Sequence, residues 1–172
     1  MKASRRQATL FLQRPSWVNK IRLDLNPAQA RLIDAHVTLC REDEVSDWEE
    51  LGRRLLDLQP HAVTLKFGSP YRDGDLVYIP CAGSTRAFDD LRSMLLGKAS
   101  AIPRKHLPHI TLIHPRNGSC SDADFASIIS VSEPFSYTFD EVAFIQQENG
   151  GIWETVETFR LGDGANAKMT DG

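Results

Sequence analysis

Long apolar runs, paired cysteines and an excess of positive charge are all missing from this sequence. No stretch approaches the roughly 18 consecutive apolar residues that a membrane-spanning helix needs, so we expect no membrane segment. Near the basic N-terminus the apolar run spans only about four residues, and no small-residue cleavage site follows it. We therefore expect no signal peptide.

The cysteines are few, odd in number and widely spaced: Cys40, Cys81 and Cys120. This pattern indicates reduced thiols rather than a disulfide framework, and it predicts a cytoplasmic protein. A net charge of −3 and an isoelectric point of about 5.9 exclude the broad positive field of a non-specific nucleic-acid binder. A nucleic-acid partner should therefore be held locally, by an end or by a few phosphates.

What is present is an ordinary globular composition. The 172 residues are 41% hydrophobic and 25% charged, which is enough to form a substantial core. We interpret residues 1–161 as a single domain of two lobes. The tail, 162–172, has almost nothing to bury, and we expect it to be disordered.

Hydrophobic periodicity and turn residues predict alternating strands and helices. Strands are predicted at 8–14, 30–40, 61–67, 75–81, through His109, and at 135–147 and 151–161; helices are predicted at 16–26, from Ser46 onward, and at 87–97 and 121–130. Pro27 is expected to stop the first helix, and Ser46 with Glu49 has the spacing of a capping box. The letters ENGG, residues 148–151, predict a hairpin turn.

Two segments of the chain follow the same order. HVTLCREDEVSDWEELGRRLLD (36–57) and HITLIHPRNGSCSDADFASIIS (109–130) each read as a strand, a polar loop and a capped helix. A further strand follows each helix, and the leading histidines are 73 positions apart (109 minus 36). This repetition predicts an internal duplication that makes two related lobes.

Each repeat opens with a tetrad in which histidine, an apolar residue, threonine and leucine follow one another. Given the composition, a chance pair of such tetrads is expected in well under about one sequence in a thousand. Side chains alternate across a strand, so His36 and Thr38 share one face, while Val37 and Leu39 point to the core. The second tetrad repeats this with His109 and Thr111.

Such a pair of strands suits phosphodiester chemistry. Residues i and i+2 of a strand lie about 6–7 Å apart, so an imidazole and a hydroxyl can reach different atoms of one phosphate. One neutral imidazole takes a proton from the attacking water, and the other, protonated, donates to the departing ribose oxygen. The threonine hydroxyls donate to the non-bridging oxygens. No metal or other cofactor is required.

Other polar residues near the tetrads carry alternative interpretations. His106 and His114 have the opposite parity to His109, so on a continuous strand they would face away from it, which also argues against a zinc site. Asp34 shares a face with His36 and is either an orienting carboxylate or, more simply, a solvated one. Cys40 has the same parity and is either a nucleophile or a small buried side chain.

At the two tetrads the sequence resembles the two-histidine (2H) phosphoesterases, which include 2′-5′ RNA ligase-like proteins and cyclic nucleotide phosphodiesterases. Their hallmark is a pair of H-x-[ST]-x motifs, and the resemblance extends loosely over residues 8–161. It implies an α+β fold of two pseudo-symmetric lobes of antiparallel sheet, with outer helices around a central cleft. It also implies that His36 and His109 are catalytic and that Thr38 and Thr111 bind phosphate.

The resemblance leads to an expected function in RNA processing. We expect a metal-independent, monomeric phosphodiesterase acting on a 2′,3′-cyclic phosphate, at an RNA end or in a nucleotide, or on a 2′-5′ linkage. His36 is assigned as the general acid and His109 as the general base. Arg116, Arg41 and Tyr71 are candidate substrate-binding residues. The alternatives are 2′-5′ RNA ligase activity and a module that binds RNA ends without turnover.

Overall fold

The computed structural model describes residues 3–97 and 105–162 of the protein. In chain order its elements are β1 (Ser4–Phe11), α1 (Ser16–Leu25), α2 (Pro27–Leu32), β2 (His36–Arg41), α3 (Trp48–Leu58), β3 (Val63–Phe67), β4 (Tyr71–Asp73), β5 (Leu76–Pro80), α4 (Arg86–Leu96), β6 (His109–Ile113), α5 (Asp122–Val131), β7 (Phe135–Phe139), β8 (Glu141–Glu148) and β9 (Trp153–Arg160). The tail predicted to be disordered lies, after its first residue, outside the described residues.

Two antiparallel sheets of similar design form the two lobes. The first has the strand order β2-β1-β8-β9. The second consists of the strands β4-β5-β6 and the pair β3-β7. An antiparallel bridge between Phe67 and Cys81 joins these two parts. In each sheet the histidine-bearing strand, β2 or β6, stands at the edge, and these two edges contact each other. The predicted α+β class with antiparallel sheets is therefore observed.

The helices cross between the lobes. Helix α1 precedes β2 in the chain, with α2 between them, but packs against β6 and α5; helix α4 comes just before β6 and packs against β2 and α3 as well as β3. Two of the strands after the tetrad helices cross as well: β3, which follows α3, joins the second sheet, and β8, the second strand after α5, joins the first. This reciprocal arrangement is the structural counterpart of the predicted duplication.

One hydrophobic core runs through both lobes. Its largest fully buried side chains come from both sheets and from the helices between them: Phe67, Phe88, Phe139, Leu10, Leu39, Leu55, Leu65, Ile79, Leu95, Ile110, Leu112 and Ile113. Because burial of each such side chain stabilises the fold by about 1.5–3 kcal/mol, separating the lobes would expose a large apolar area.

A buried asparagine joins the lobes with hydrogen bonds. Asn26 lies between α1 and α2 and is only 1% exposed. Its side-chain oxygen accepts from the backbone N–H of His114, just after β6, at 3.0 Å. Its side-chain nitrogen donates to the side-chain oxygen of Asn117 at 3.1 Å, so the amide that could not stay buried alone is satisfied on both sides.

Several predicted elements differ from those observed. Residues 30–32, predicted to begin a strand, belong to α2, because Pro27 opens a second helix at its first position as well as ending the first. The N-cap of α3 is Asp47, which accepts from the backbone N–H of Glu50, and Ser46 forms no capping box. The strand predicted over 135–147 is two strands, β7 and β8, which lie in different sheets.

Other sequence signals are confirmed. Gly97 ends α4 with a positive φ of 55°, a conformation that a side chain would disfavour. Asn149 and Gly150 both have positive φ in the turn between β8 and β9, as a hairpin of type I′ requires. Ser121 caps α5 and forms a capping box with Asp124.

Candidate active site

The two tetrads lie side by side where the sheet edges meet. His36, Thr38, His109 and Thr111 are half-buried, whereas the apolar residues that alternate with them are buried in the core. The predicted alternation is confirmed on both strands. The cleft surface at this edge therefore carries two imidazoles and two hydroxyls.

A β-bulge follows the threonine in each tetrad. On β2 the register to β1 shifts so that Leu39 is the extra residue between the paired Thr38 and Cys40. On β6 the register to β5 shifts in the same way around Leu112. Bulges of this kind twist a strand and redirect its side chains, so both tetrads turn away from the sheet at the same point.

Both imidazoles are held in the same way. His36 Nδ1 donates to the backbone carbonyl of Asp34 at 2.8 Å, and His109 Nδ1 donates to the carbonyl of Leu107 at 2.9 Å. A carbonyl oxygen only accepts, so Nδ1 carries the proton in each ring. Nε2 is therefore the nitrogen left to exchange a proton with a bound molecule.

The electrostatic surroundings of His36 favour its neutral form. Burial lowers the pKa of His36 to about 4, the hydrogen bond to the Asp34 carbonyl opposes that change, and the positive charges of Arg22 and His109 add to it. At neutral pH the ring is thus uncharged and its Nε2 lone pair is available to accept a proton. The interaction with His109 also places the two rings within electrostatic reach of each other.

The hydroxyl of Thr38 is oriented by a residue that the sequence did not single out. Gln7, on the neighbouring strand β1, donates from Nε2 to the Thr38 hydroxyl at 3.1 Å and to the Thr9 hydroxyl at 2.9 Å. Because the Thr38 oxygen accepts here, its own proton remains free to point into the cleft. The neighbour of Thr111 is an aromatic residue, because Thr111 on β6 pairs with Tyr78 on β5.

Aromatic rings flank each histidine. Phe11 lies edge-on to His36 with the ring centroids 6.3 Å apart, and Tyr78 lies edge-on to His109 at 5.4 Å. The exposed ring of Tyr71 stands 5.5 Å from Tyr78. Next to His109, a cavity of about 440 Å³ is lined by Leu76, Tyr78, Pro80, Cys81, Thr85, Lys105, His106, Leu107, Pro108 and His109.

Solved structures of LigT from E. coli share this architecture. LigT in its apo form aligns with a TM-score of 0.60 and 15% sequence identity, over 94% of this chain and 99% of that chain. LigT complexed with 3′-AMP aligns at a TM-score of 0.54 and 16% identity over 94% and 99% of the two chains. A phosphoesterase aligns at 0.57 and 17% identity over 92% and 99%. The chain has the LigT fold.

This likeness is one of structure. No family model and no curated protein matches the sequence. The fold expected from the resemblance to the 2H phosphoesterases is confirmed by the alignment with LigT, which covers nearly the whole chain. The two tetrads stand on the facing edge strands of this LigT fold.

Of the candidate substrate-binding residues, Tyr71 stands one ring away from the histidine pair, as described above. Arg41 ends β2 in an exposed position, its backbone N–H donates to Glu44 at 3.1 Å, and its charge acts on His106. Arg116 is also exposed, and its backbone N–H donates to the Nδ1 atom of His114 at 3.1 Å. Of these three residues, Tyr71 is the one that ring contacts connect to His109, whereas Arg41 and Arg116 are exposed next to the ends of β2 and β6.

The expectation that His106 faces away from His109 is wrong. The strand begins only at His109, so the alternation does not extend back to His106, and the two ring centroids lie 5.8 Å apart. The Nε2 atom of His106 is buried without a hydrogen-bond partner, and burial and nearby positive charges lower its pKa to about 4. His114 lies beyond the strand and belongs to the contact with Asn26.

The nucleophile interpretation of Cys40 is wrong. The bulge in β2 reverses the parity after Thr38, so Cys40 is fully buried in the core of the LigT fold. Burial raises the pKa of its thiol to about 12, and the thiolate does not form at neutral pH. Asp34 contributes its backbone carbonyl, rather than its exposed carboxylate, to the orientation of His36.

The described residues contain neither a cluster of metal ligands nor a membrane-spanning helix. Across 3–97 and 105–162, no three side chains of His, Cys, Asp or Glu are grouped so that they could hold a metal ion. No helix in that part of the chain has both the length and the apolar character to span a membrane.

Proposed function

We propose that this chain is a 2H-type phosphodiesterase that hydrolyses a 2′,3′-cyclic phosphate or a 2′-5′ phosphodiester without a metal. The observation that supports it best is the matched pair of imidazoles. His36 and His109 stand on facing edge strands, each with Nδ1 bound to a carbonyl and each with a threonine two residues later. Two oriented proton-transfer groups beside two hydroxyls are what an in-line displacement at phosphorus needs.

The proton transfers follow from the charge state of His36. Its neutral Nε2 accepts a proton from a water molecule, whose oxygen then forms the new bond to phosphorus. As the bond from phosphorus to the ribose oxygen breaks, His109, protonated on both ring nitrogens, donates its Nε2 proton to that oxygen and keeps the proton on Nδ1. The hydroxyls of Thr38 and Thr111 donate to the non-bridging oxygens as negative charge develops. This assignment, with His36 as base, reverses the one made from the sequence, because the lowered pKa of His36 disfavours the protonated ring that an acid requires.

The substrate class follows from the surroundings of the histidine pair. The cavity of about 440 Å³ beside His109 is large enough for a nucleoside, and Tyr78 and Tyr71 offer aromatic faces near it. LigT from E. coli, which has this fold, is known in complexes with phosphate, 3′-AMP and ATP. We therefore propose a nucleotide or an RNA end as substrate. A monomeric state and a cytoplasmic location stay predictions from the sequence.

A product screen tests the proposed function. The protein is incubated with 2′,3′-cyclic nucleotides, RNA that ends in a cyclic phosphate, and 2′-5′ dinucleotides, with and without EDTA, and the products are identified by phosphorus NMR. We expect hydrolysis of at least one class at a rate that EDTA leaves unchanged. Loss of activity with the chelator would contradict the metal-free mechanism. Salt-sensitive binding of the cyclic-phosphate RNA with no product after hours would favour the binding module.

Ligation is a second candidate, favoured by a second cavity close to His36. The ring of Phe11, whose centroid lies 6.3 Å from that of His36, lines a cavity of about 560 Å³ together with Asp34, Trp153 and other residues. Nucleosides held on either side of one phosphate are what joining a cyclic phosphate end to a 5′-hydroxyl requires. Incubating two RNA fragments that bear these ends, and looking for the joined product by gel electrophoresis, separates ligation from hydrolysis alone.

The hydrogen bond from Gln7 to Thr38 gives a prediction about the phosphate-binding hydroxyl. In the Gln7→Leu variant, Thr38 loses its donor and its hydroxyl is free to rotate. Since a hydrogen bond of this kind is worth about 0.5–1.5 kcal/mol, we expect kcat/KM to fall about two- to tenfold. The matched control is Gln146→Leu on β8, because Gln146 pairs with Arg6 and lies on the opposite face of the same sheet. Equal losses in both variants would contradict a role for Gln7 at Thr38.

A further inference from the structure

Two arginines are buried at matching places in the two halves. Arg22 is the seventh residue of α1 and Arg92 the seventh residue of α4, and each is 3% exposed. These are the helices that precede the two tetrad strands and cross to the opposite lobe. A guanidinium so deeply buried is rare unless charged or polar groups surround it.

The two arginines differ in the groups that balance their buried positive charge. Arg92 donates to the carbonyl of Leu39 and forms an ion pair with the buried carboxylate of Glu44 at 2.5 Å. Arg22 donates from Nη2 to the carbonyl of Ile33 at 2.7 Å, and its Nε is buried without a hydrogen-bond partner. Within the described residues no carboxylate lies in ion-pair distance of Arg22. The charge of Arg22 is therefore compensated less directly than that of Arg92, because the carboxylate of Asp34 acts on it electrostatically from beyond ion-pair distance.

Arg22 acts on the segment that leads into the first tetrad. Its hydrogen bond holds the carbonyl of Ile33, while the next carbonyl, of Asp34, accepts from His36 Nδ1 and the one after, of Ala35, accepts from the backbone N–H of Leu12. Three consecutive carbonyls are thus fixed, and the middle one orients the imidazole. Burial accounts for most of the lowering of the His36 pKa, and the positive charge of Arg22 adds to it.

Within residues 3–97 and 105–162, no arginine is seen to hold the segment before the second tetrad in this way. The carbonyl of Leu107 orients His109, and the residue before it, His106, stands where Ile33 stands in the first half. The arginine of the preceding helix, Arg92, is directed to Leu39 and Glu44 of the opposite lobe instead. A buried arginine that holds the segment before the histidine therefore distinguishes the His36 side of the site.

We propose that Arg22 is a positioning residue for the base: it clamps the segment that orients His36 and brings a positive charge close to that histidine. This inference rests on the proposed function for its catalytic meaning. The charged and titratable groups that act on His36 are Arg22 from α1, His109 from β6 and, through its carbonyl, Asp34 from the preceding segment, and the carboxylate of Asp34 acts in turn on Arg22. The role of His36 as base then follows from its surroundings rather than from the symmetry of the tetrads.

The test measures the titration of His36 directly, by NMR of the imidazole, in the wild type and three variants. The wild-type midpoint is expected near 4 with the proton on Nδ1. Removing the positive charge favours the protonated ring, so Arg22→Gln should raise the midpoint by about one pH unit. Arg22→Lys keeps the charge and should leave the midpoint within a few tenths of a unit. Lys20→Met, on the exposed face of the same helix, is the control for a lost surface charge.

If the protein is active, the acidic limb of its kcat/KM–pH profile should shift to higher pH in Arg22→Gln, by the same amount as the His36 midpoint. A purely structural role would lower the rate and leave this midpoint in place, which would overturn the proposal. An equal shift in Arg22→Lys and Arg22→Gln would overturn it too. If Arg22→Gln does not fold, a wild-type midpoint near 6.5 is still sufficient to overturn the proposal. If no substrate turns over while the His36 midpoint responds to Arg22→Gln, the proposed function fails and the electrostatic role of Arg22 remains.

Discussion

Replacing either cleft histidine with alanine is expected to lower kcat/KM by about 10²- to 10⁴-fold, because each variant removes one of the two proton transfers. His36→Ala removes the proposed base and His109→Ala the proposed acid. The double variant should be little worse than the poorer single variant, since the two groups act in one step and their losses do not add. Steady-state rates on the substrate found in the product screen measure these changes.

The matched control is His61→Ala. His61 is exposed just before β3, and in the part of the chain that the structure describes its backbone forms a bridge to Gly162. Its removal should leave kcat/KM unchanged, and thermal unfolding should show that all the variants are folded. If the His36→Ala or the His109→Ala protein retained a rate within tenfold of the wild type, that ring would not transfer a proton in the reaction.

The largest effect on stability is expected from Glu44→Gln. The side chains of Glu44 and Arg92 are 7% and 4% exposed, and they hold α4 against the end of β2. The neutral amide leaves Arg92 buried without its carboxylate, and breaking a buried pair in this way costs about 3–5 kcal/mol. Denaturant unfolding of the variant and the wild type at pH 7 measures the difference in the free energy of unfolding.

The same ion pair determines in which direction the stability of the protein changes with pH. Burial opposes the ionisation of Glu44, but the hydrogen bond and the charge of Arg92 outweigh it, and the pKa of Glu44 is lowered from 4.5. The pair therefore contributes its full stability above pH 4.5, and this contribution is lost as the pH falls through the lowered value. Glu50→Gln is the control, because Glu50 pairs with Arg53 and Arg54 at the surface and should cost less than about 1 kcal/mol. A Glu44→Gln protein no less stable than Glu50→Gln would contradict the prediction.

Local patterns in the sequence predicted much of the fold and the centre of the candidate site. The alternation of the tetrads predicts which side chains reach the cleft, because a strand has a fixed period of two. The same rule misplaced Cys40, since the bulge at Leu39 adds one residue and reverses the parity. Nothing in the letters HVTLC marks that bulge, which depends on how β1 pairs with the strand.

The supporting residues were missed for a related reason. Gln7 and Arg22 come from β1 and α1, and only the pairing of the strands and the packing of the helices bring them to Thr38 and His36. The one available signal was that Arg22 stands four residues after Val18 in SWVNKIRLDL, a polar residue at the spacing of the apolar face. It shows that a charge is present on the helix, but not which face of the helix the fold buries.

The crossed packing of α1 and α4 means that the chain cannot be divided at its internal symmetry point. A fragment that stops before the second tetrad would keep α1 without the strand it covers, and β3 without a neighbouring sheet. Two identical fragments, however, could each lend the other the missing helix and strand. In an intertwined dimer, each subunit supplies the helix and the strand that the other lacks. Here both halves belong to one polypeptide and supply these elements to each other. Because the halves are not identical copies, each histidine strand is free to diverge from its counterpart.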